Sequence, residues 1–256
     1  MNKNEGEQGQ LFADDQAEPK KSKAMATDKT KKAGTTGGGG GSGGAETAET
    51  MAKRQREISV SEFFTKNRHL LGFDSPRKAL LTAVKEAVDN SLDACEEARI
   101  QPDIRVKIVR IGTSEKQFTM TVEDNGPGIV AAQVGNVFGR LLYGSKFHRL
   151  RQSRGQQGIG ISAAGMYGLL TTGNPVRVKS KPGKRAQAYA FEITIDTAKN
   201  RPDVVQKAYD WGEKEHGTEV SIDLEGEYRR GQKSVEEFLK LMAVANPHVY
   251  LHYTDP

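Results

Sequence analysis

An α+β fold preceded by an unfolded N-terminal segment is what this sequence predicts, and three observations carry the prediction. Helical spacing of apolar residues dominates from about residue 59 to residue 98, and strand-like alternation dominates much of the remainder. The first 50 residues hold too little apolar side chain to bury a core. Helices concentrated early and antiparallel strands late are the mark of an α+β chain.

Residues 1–50 include "AEPKKSKAMATDKTKKAGTTGGGGGSGGAETAET", a mixture of Lys, Thr, Ala and Glu with a glycine run, and are expected to be a flexible tail. Folding is expected to begin near Ile58. In "SVSEFFTKN", Ser59 or Ser61 can cap a short helix, and in "FDSPRKALLTAVKEAVDNSLDACEEA" Ser75 is a good N-cap with Pro76 at the first helical position. The runs "IRVKIVRI" and "FTMTVED" predict paired strands. A glycine-rich loop then runs into an apolar helix within "GQQGIGISAAGMYGLL". Strands are predicted at "VRVKSK", "AYAFEITI" and "GTEVSIDL", then a helix in "VEEFLKLMAVA" and a last strand in "HVYLHY". No internal repeat occurs.

Composition narrows the class. With 256 residues, 36% hydrophobic and 28% charged, the chain suits one soluble domain with an attached tail. No run approaches the roughly 18 apolar residues of a membrane span, and the N-terminus lacks a signal peptide's apolar stretch, so no membrane contact and a cytoplasmic location are expected. A single cysteine, Cys95, excludes disulfides and cysteine-based metal sites within the chain. The net charge of +5 permits a nucleic-acid partner without requiring one.

The long helix is unusual in its middle. Glu86, Asp89, Asn90 and Asp93 fall within an arc of about 100°, opposite Leu81, Val84, Ala87, Val88, Ser91, Leu92 and Cys95. Asp and Asn are poor helix formers, so their place there asks for a reason. A solvated acidic face is one reading. Against it, the position four residues after Glu86 is Asn90 and that four after Asp89 is Asp93, where a solvated face usually carries Lys or Arg partners. A carboxylate and an amide oxygen side by side instead suit a water and a hard cation.

Three glycine-bearing stretches come next. In "VEDNGPGI" a strand delivers Asp124 to its end, and Gly126 and Gly128 let the backbone turn closely past whatever the carboxylate binds. Residues 126–131 also fit the dinucleotide pattern G-x-G-x-x-G/A, but that pattern requires a second parallel strand, and "GRLLYGSKFHRLRQSRG" predicts none. The second stretch, "GQQGIGISAAGMYGLL", places a glycine-rich loop at a helix start, where free N–H groups and the helix dipole favour a phosphate. No G-x-x-x-x-G-K-[ST] occurs, so it is no Walker-type loop. The third, "HGTEV", is a turn entering a strand.

In this order, Glu-x-x-x-Asn, Asp-x-Gly-x-Gly, Gly-x-x-Gly-x-Gly and Gly-Thr resemble the nucleotide-binding fold of the superfamily of gyrase, heat-shock chaperone, histidine kinase and MutL (GHKL), over about residues 58–256. Within it, "EFFTKNRHLLGFDSPRKALLTAVKEAVDNSLDACEEA" and "LLYGSKFHRLRQSRGQQGIGISAA" resemble the B-subunit family of DNA topoisomerase VI. The resemblance implies a two-layer α/β sandwich of the GHKL (Bergerat) type, with a mostly antiparallel mixed sheet, helices on one face and an ATP lid. It implies ATP and Mg²⁺ as ligands, Glu86 as general base, Asn90 as Mg²⁺ ligand, and Asp124 as acceptor of the adenine amino group. Gly128 would make room for the base, Gly126 beside it would belong to the same nucleotide site, and Thr218 would support the adenine contact. Gly155, Gln156, Gln157, Gly158, Ile159 and Gly160 would close over the phosphates, and Lys146 would reach them or remain a solvated lysine.

At the level of the assembly the resemblance implies a type II topoisomerase ATPase. ATP would close two B subunits into a homodimer, residues 58–72 would form a strap across the partner, and residues 73–256 the ATPase domain. DNA passage would need a separate DNA-cleaving A subunit. The family continues into a transducer domain that supplies a γ-phosphate lysine. This chain stops at Pro256, so that domain is expected to be absent, with weak binding and slow turnover as the result. A MutL-like repair ATPase and an ATP-responsive scaffold without turnover stay as alternatives. A histidine kinase is disfavoured, because His69 in "KNRHLLGF" has the wrong surroundings for a phosphoacceptor.

Overall fold

The computed structural model describes residues 59–141, 143, 159–197 and 199–256. The expected tail and residue 58 lie outside them. Helix α1 (Val60–Asn67) begins where Ser59 Oγ accepts the Glu62 N–H at 3.2 Å. Helix α2 (Pro76–Ala98) begins at Ser75, whose hydroxyl accepts the Lys78 N–H, and ends at Arg99 in the left-handed region, whose N–H returns to the carbonyls of Cys95 and Glu96. Strands β1 (Asp103–Arg110) and β2 (Gln117–Asp124) form a hairpin, followed by α3 (Ala131–Gly139) and α4 (Gly160–Thr172). Strands β3 (Val176–Lys181), β4 (Ala188–Asp196), β5 (Arg201–Tyr209) and β6 (Gly217–Glu225) come next, then α5 (Val235–Ala245) and β7 (Tyr250–Thr254).

These strands make one seven-stranded sheet in the order β5-β4-β3-β6-β2-β1-β7. Every pairing is antiparallel except β1 with β7. The period-two pattern places Ile104, Val106 and Ile108 of β1, Phe118, Met120 and Val122 of β2, and Val220, Ile222 and Leu224 of β6 on one buried face. Helices α2, α3 and α4 cover that face, while Arg105 and Lys107 stand exposed on the other. One core thus fills the space between a helical layer and a sheet.

Two elements were not legible in the sequence. Strand β5 (Arg201–Tyr209) is exposed along most of its length at the sheet edge, so neither of its faces carries a clean apolar alternation, and Pro202 is tolerated there because an edge strand leaves N–H groups unpaired. Helix α3 has no side-chain cap at Val130, which removes the usual start signal.

Of the polar arc on α2, Asp89 and Asp93 are buried, which goes against the solvated-face alternative, while Asn90 is exposed. Within residues 58–72, α1 packs on its own domain: Phe64 is fully buried, with its ring 5.9 Å from Phe73, which in turn lies 5.3 Å from Tyr167 of α4.

Candidate functional site

Strand topology brings the site together. Because β2 and β6 run antiparallel with Val122 opposite Val220, the end of β2 lies beside the start of β6, and Asp124 comes next to Thr218. The middle of α2 crosses above this junction, and the start of α4 meets it from the side. Between them lies a cleft of about 260 Å³, whose lining includes Glu86, Asn90, Ser91, Asp124, Gly128, Gly160 and Thr218. That volume sits at the lower edge of the range typical of small-molecule clefts. Its apolar walls come from Val122, Val220, Ile129, Val137, Phe138 and Tyr143.

Asp124 is buried at the base of the cleft and held from three directions. Its Oδ1 accepts the N–H of Gly126 at 2.8 Å and of Thr218 at 3.1 Å, and its Oδ2 accepts the Ser91 hydroxyl at 3.0 Å. Burial pushes its pKa above the ordinary aspartate value, against the opposing pull of these hydrogen bonds and of Lys214. The turn after it is fixed by its own contacts. Ser180 Oγ accepts the Ile129 N–H at 2.7 Å and donates to its carbonyl at 3.0 Å, and His216 Nδ1 donates to the Gly126 carbonyl at 2.8 Å. Gly128 has φ +71, and a Cβ there would lie 2.2 Å from the Lys181 carbonyl oxygen, so only glycine fits this turn.

Glu86 reaches the opposite end of the cleft. A Cβ on Gly160 would lie 1.7 Å from Glu86 Oε2, which places the carboxylate directly against the first residue of α4. Burial first, and Asp89 one turn along second, raise the Glu86 pKa above the ordinary glutamate value. Among the described residues no side chain caps the start of α4, where backbone N–H groups and the helix dipole suit an anion in the cleft.

Of the residues singled out from the sequence, Glu86, Asn90, Asp124, Gly128, Gly160 and Thr218 line one cleft. Gly126 serves through its N–H to Asp124, and Ile159 is the N-cap of α4. Thr218 also acts on Asp124 through its backbone. Lys146, Gly155, Gln156, Gln157 and Gly158 lie outside the described residues. Ser91 escapes sequence reasoning as a site residue, since its helical phase assigns it to the core; a hydroxyl on an apolar helix face is the available signal. The aromatic lining of Phe138 and Tyr143 could not be read from spacing, because α3 itself was not.

The donors in the cleft fit a hard cation only as a shared ligand. Among the described residues no group of three or more His, Cys, Asp or Glu could cage a metal. Asn90 offers the cleft a single oxygen, which suits Mg²⁺, an ion that keeps water and phosphate ligands and takes only one or two from protein.

Residues 76–199 match the family model described as "Histidine kinase-, DNA gyrase B-, and HSP90-like ATPase". The B subunit of type 2 DNA topoisomerase 6 from Methanococcoides burtonii is 52% identical over 211 residues, covering 82% of this chain and 33% of the relative. That of Methanosarcina acetivorans is 50% identical over 211 residues, covering 82% and 34%. The chain therefore spans about a third of the length of these relatives. A solved topoisomerase IV ATP-binding domain of Francisella tularensis, in complex with a small-molecule inhibitor, aligns with a TM-score of 0.46 at 14% identity, over 77% of this chain and 51% of that one. Among the described residues no helix is long and apolar enough to cross a membrane. With residues 76–199 matched by that model and half of the aligned positions identical to these relatives, this part of the chain is a domain of the histidine kinase-, DNA gyrase B- and HSP90-like ATPase family.

Proposed function

We propose that this chain is the ATP-binding and ATP-hydrolysing part of a topoisomerase 6 B subunit, which drives DNA strand passage with a DNA-cleaving A subunit in the cytoplasm. The single observation that carries this reading is that four groups encoded far apart converge on one cleft: Glu86, Asn90, Asp124 and Thr218. The similarity to the B-subunit relatives supports the choice of whole-protein function.

In this reading the purine enters the apolar end. Asp124 Oδ2 accepts its exocyclic amino group, and a base with a carbonyl there would face acceptor with acceptor at a buried site. Gly128 keeps the turn low beneath the ring. The phosphates point toward the start of α4, where backbone donors and the dipole receive their charge. Asn90 is the side chain that would hold Mg²⁺, and Mg²⁺ when bound neutralises charge on the phosphate oxygens. Glu86 orients a water and takes up its proton; a carboxyl pushed upward by burial is a stronger base than an ordinary glutamate. ATP binding draws two copies of the chain together, and release after hydrolysis reopens them.

The test is Glu86→Ala. Calorimetry with a non-hydrolysable analogue should show affinity close to that of the parent, while turnover falls by roughly 10²- to 10⁴-fold. Unchanged turnover removes Glu86 from the reaction. For the assembly, relaxation of supercoiled DNA by the full-length protein with its A subunit should need ATP. ATP-independent relaxation would refute the gate.

A further inference from the structure

We propose that Ser91 is a positioning residue for purine selection: its hydroxyl fixes the rotation of the Asp124 carboxylate and holds Oδ2 as an acceptor toward the cleft. This inference rests on the reading of Asp124 as the group that meets the purine amino group. Donors are divided unequally over the two carboxylate oxygens. Oδ1 takes both backbone N–H groups, from Gly126 and Thr218. Oδ2 takes the Ser91 hydroxyl, 3.0 Å away, and both residues are buried and line the cleft. A carboxylate oxygen can accept two hydrogen bonds, so one donor from Ser91 leaves Oδ2 one further site.

Two features make this more than a buried contact. A serine within a helix commonly turns its hydroxyl back to the carbonyl four residues earlier. Ser91 instead spans 33 positions in sequence to reach β2 from α2. The bond also favours an ionised Asp124, because a hydroxyl that donates to the carboxylate stabilises its charged form. If the carboxyl became protonated, Oδ2 could present a donor, and the preference for an amino group over a carbonyl would weaken.

The charged and titratable groups around Asp124 are few. Lys214, ahead of β6, is the cation that acts on it; Cys95 lies on α2 and has its thiol pushed up to about 12, first by burial and then by the Asp124 charge. His216 engages the neighbouring Gly126 carbonyl, Glu86 stands at the far end of the same cleft, and β1 presents only Ile104 opposite Asp124. Ser91 is therefore the one side-chain donor to Asp124 among the described residues.

The experiment compares ATP with purine riboside triphosphate, which lacks the amino group, by calorimetry on the parent chain, Ser91→Ala and Ser91→Thr across pH 5 to 8. In Ser91→Ala, ATP affinity should fall about 5- to 20-fold at neutral pH, while affinity for the amino-free analogue stays within about twofold. The acidic limb of ATP binding should move to higher pH by about one unit, since a hydrogen bond to the charged form is lost. Ser91→Thr should restore both. Equal losses for the two nucleotides, or an unmoved pH profile, would overturn the assignment and leave Ser91 a structural residue. If the parent chain itself binds both nucleotides equally, the purine reading of Asp124 fails, and the inference with it. Should Ser91→Ala not fold, Ser91→Cys, a weaker donor of nearly the same shape, must show the same selective loss in smaller measure; retained selectivity there refutes the proposal.

Discussion

Replacing Gly160 by alanine tests the geometry of the site without touching any chemical group in it. The added Cβ would sit 1.7 Å from Glu86 Oε2 and 2.2 Å from Glu86 Cδ, where ordinary contact begins near 3.4 Å. One side must yield. Helix α4 is held by buried residues from Ile161 through Gly168, whereas Glu86 is a half-buried side chain free to change rotamer. The carboxyl therefore retreats by about 1.7 Å, and a displacement of about 1 Å in a catalytic group can lower turnover by roughly 10²-fold. The cost to stability should be small, since alanine is a better helix former than glycine by about 1 kcal/mol and the displaced atoms are the end of a flexible chain. The assay is steady-state ATP hydrolysis beside thermal melting and calorimetric binding of a non-hydrolysable analogue. Turnover about 100-fold lower, with melting unchanged within about 2 °C, is the expected outcome. Parent-like turnover would show that Glu86 works from another position, and a fall in melting temperature of many degrees would show that α4 had moved instead.

Further outcomes are expected at three other sites. Asp124→Ala should weaken ATP binding by about 2 to 4 kcal/mol. Because burial raises the Asp124 pKa, ATP affinity in the parent should be full above that raised value and decline as pH falls through it, at a pH above the ordinary aspartate range; affinity constant down to that range would contradict the ionised acceptor. Gly128→Ala should destabilise the domain by roughly 3 kcal/mol in urea denaturation, since it combines positive φ with a clash against backbone; an unchanged midpoint would mean the turn relaxes freely. Arg177→Met should cost about 1 to 2 kcal/mol, because the Arg177 pair with Asp223, at 2.9 and 2.7 Å, is partly screened by the exposure of the guanidinium. Burial works to raise the Asp223 pKa, yet Arg177, Thr119 and Asn174 hold it below the ordinary value. Its stabilisation is present above the unfolded aspartate pKa and lost as pH falls through the folded one. In Arg177→Met, acid unfolding should begin at higher pH, and a superimposable acid limb would exclude Arg177 as its source.

Local chemistry made much of the fold readable. Ser75 with Pro76 announced α2, and Ser234 in front of Val235 caps α5 by accepting the Glu237 N–H. The alternation in β1, β2 and β6 is imposed by one buried face and one open face, so it is written directly in the residue order. Elements whose stability comes from neighbours rather than from their own pattern stayed hidden. Strand β5 is held by its ladder to β4, and α3 by packing on β4 and β5.

The candidate site divides along the same line. Sequence alone determined which groups are candidates for the chemistry: Glu86 and Asn90 one helical turn apart, Asp124 at a strand end before two glycines, and a glycine-rich approach to α4. Their spacing within each element follows from helical and strand periodicity, which any chain of that pattern must obey. Only the tertiary structure decided what each group faces. Asp89 and Asp93 share the helix with Glu86 yet are buried, Ser91 turns from the core to Asp124, and Gly160 lies directly against Glu86. These contacts join residues 33 and more positions apart. They depend on the packing of α2 and α4 across the β2–β6 pair, which no local pattern encodes.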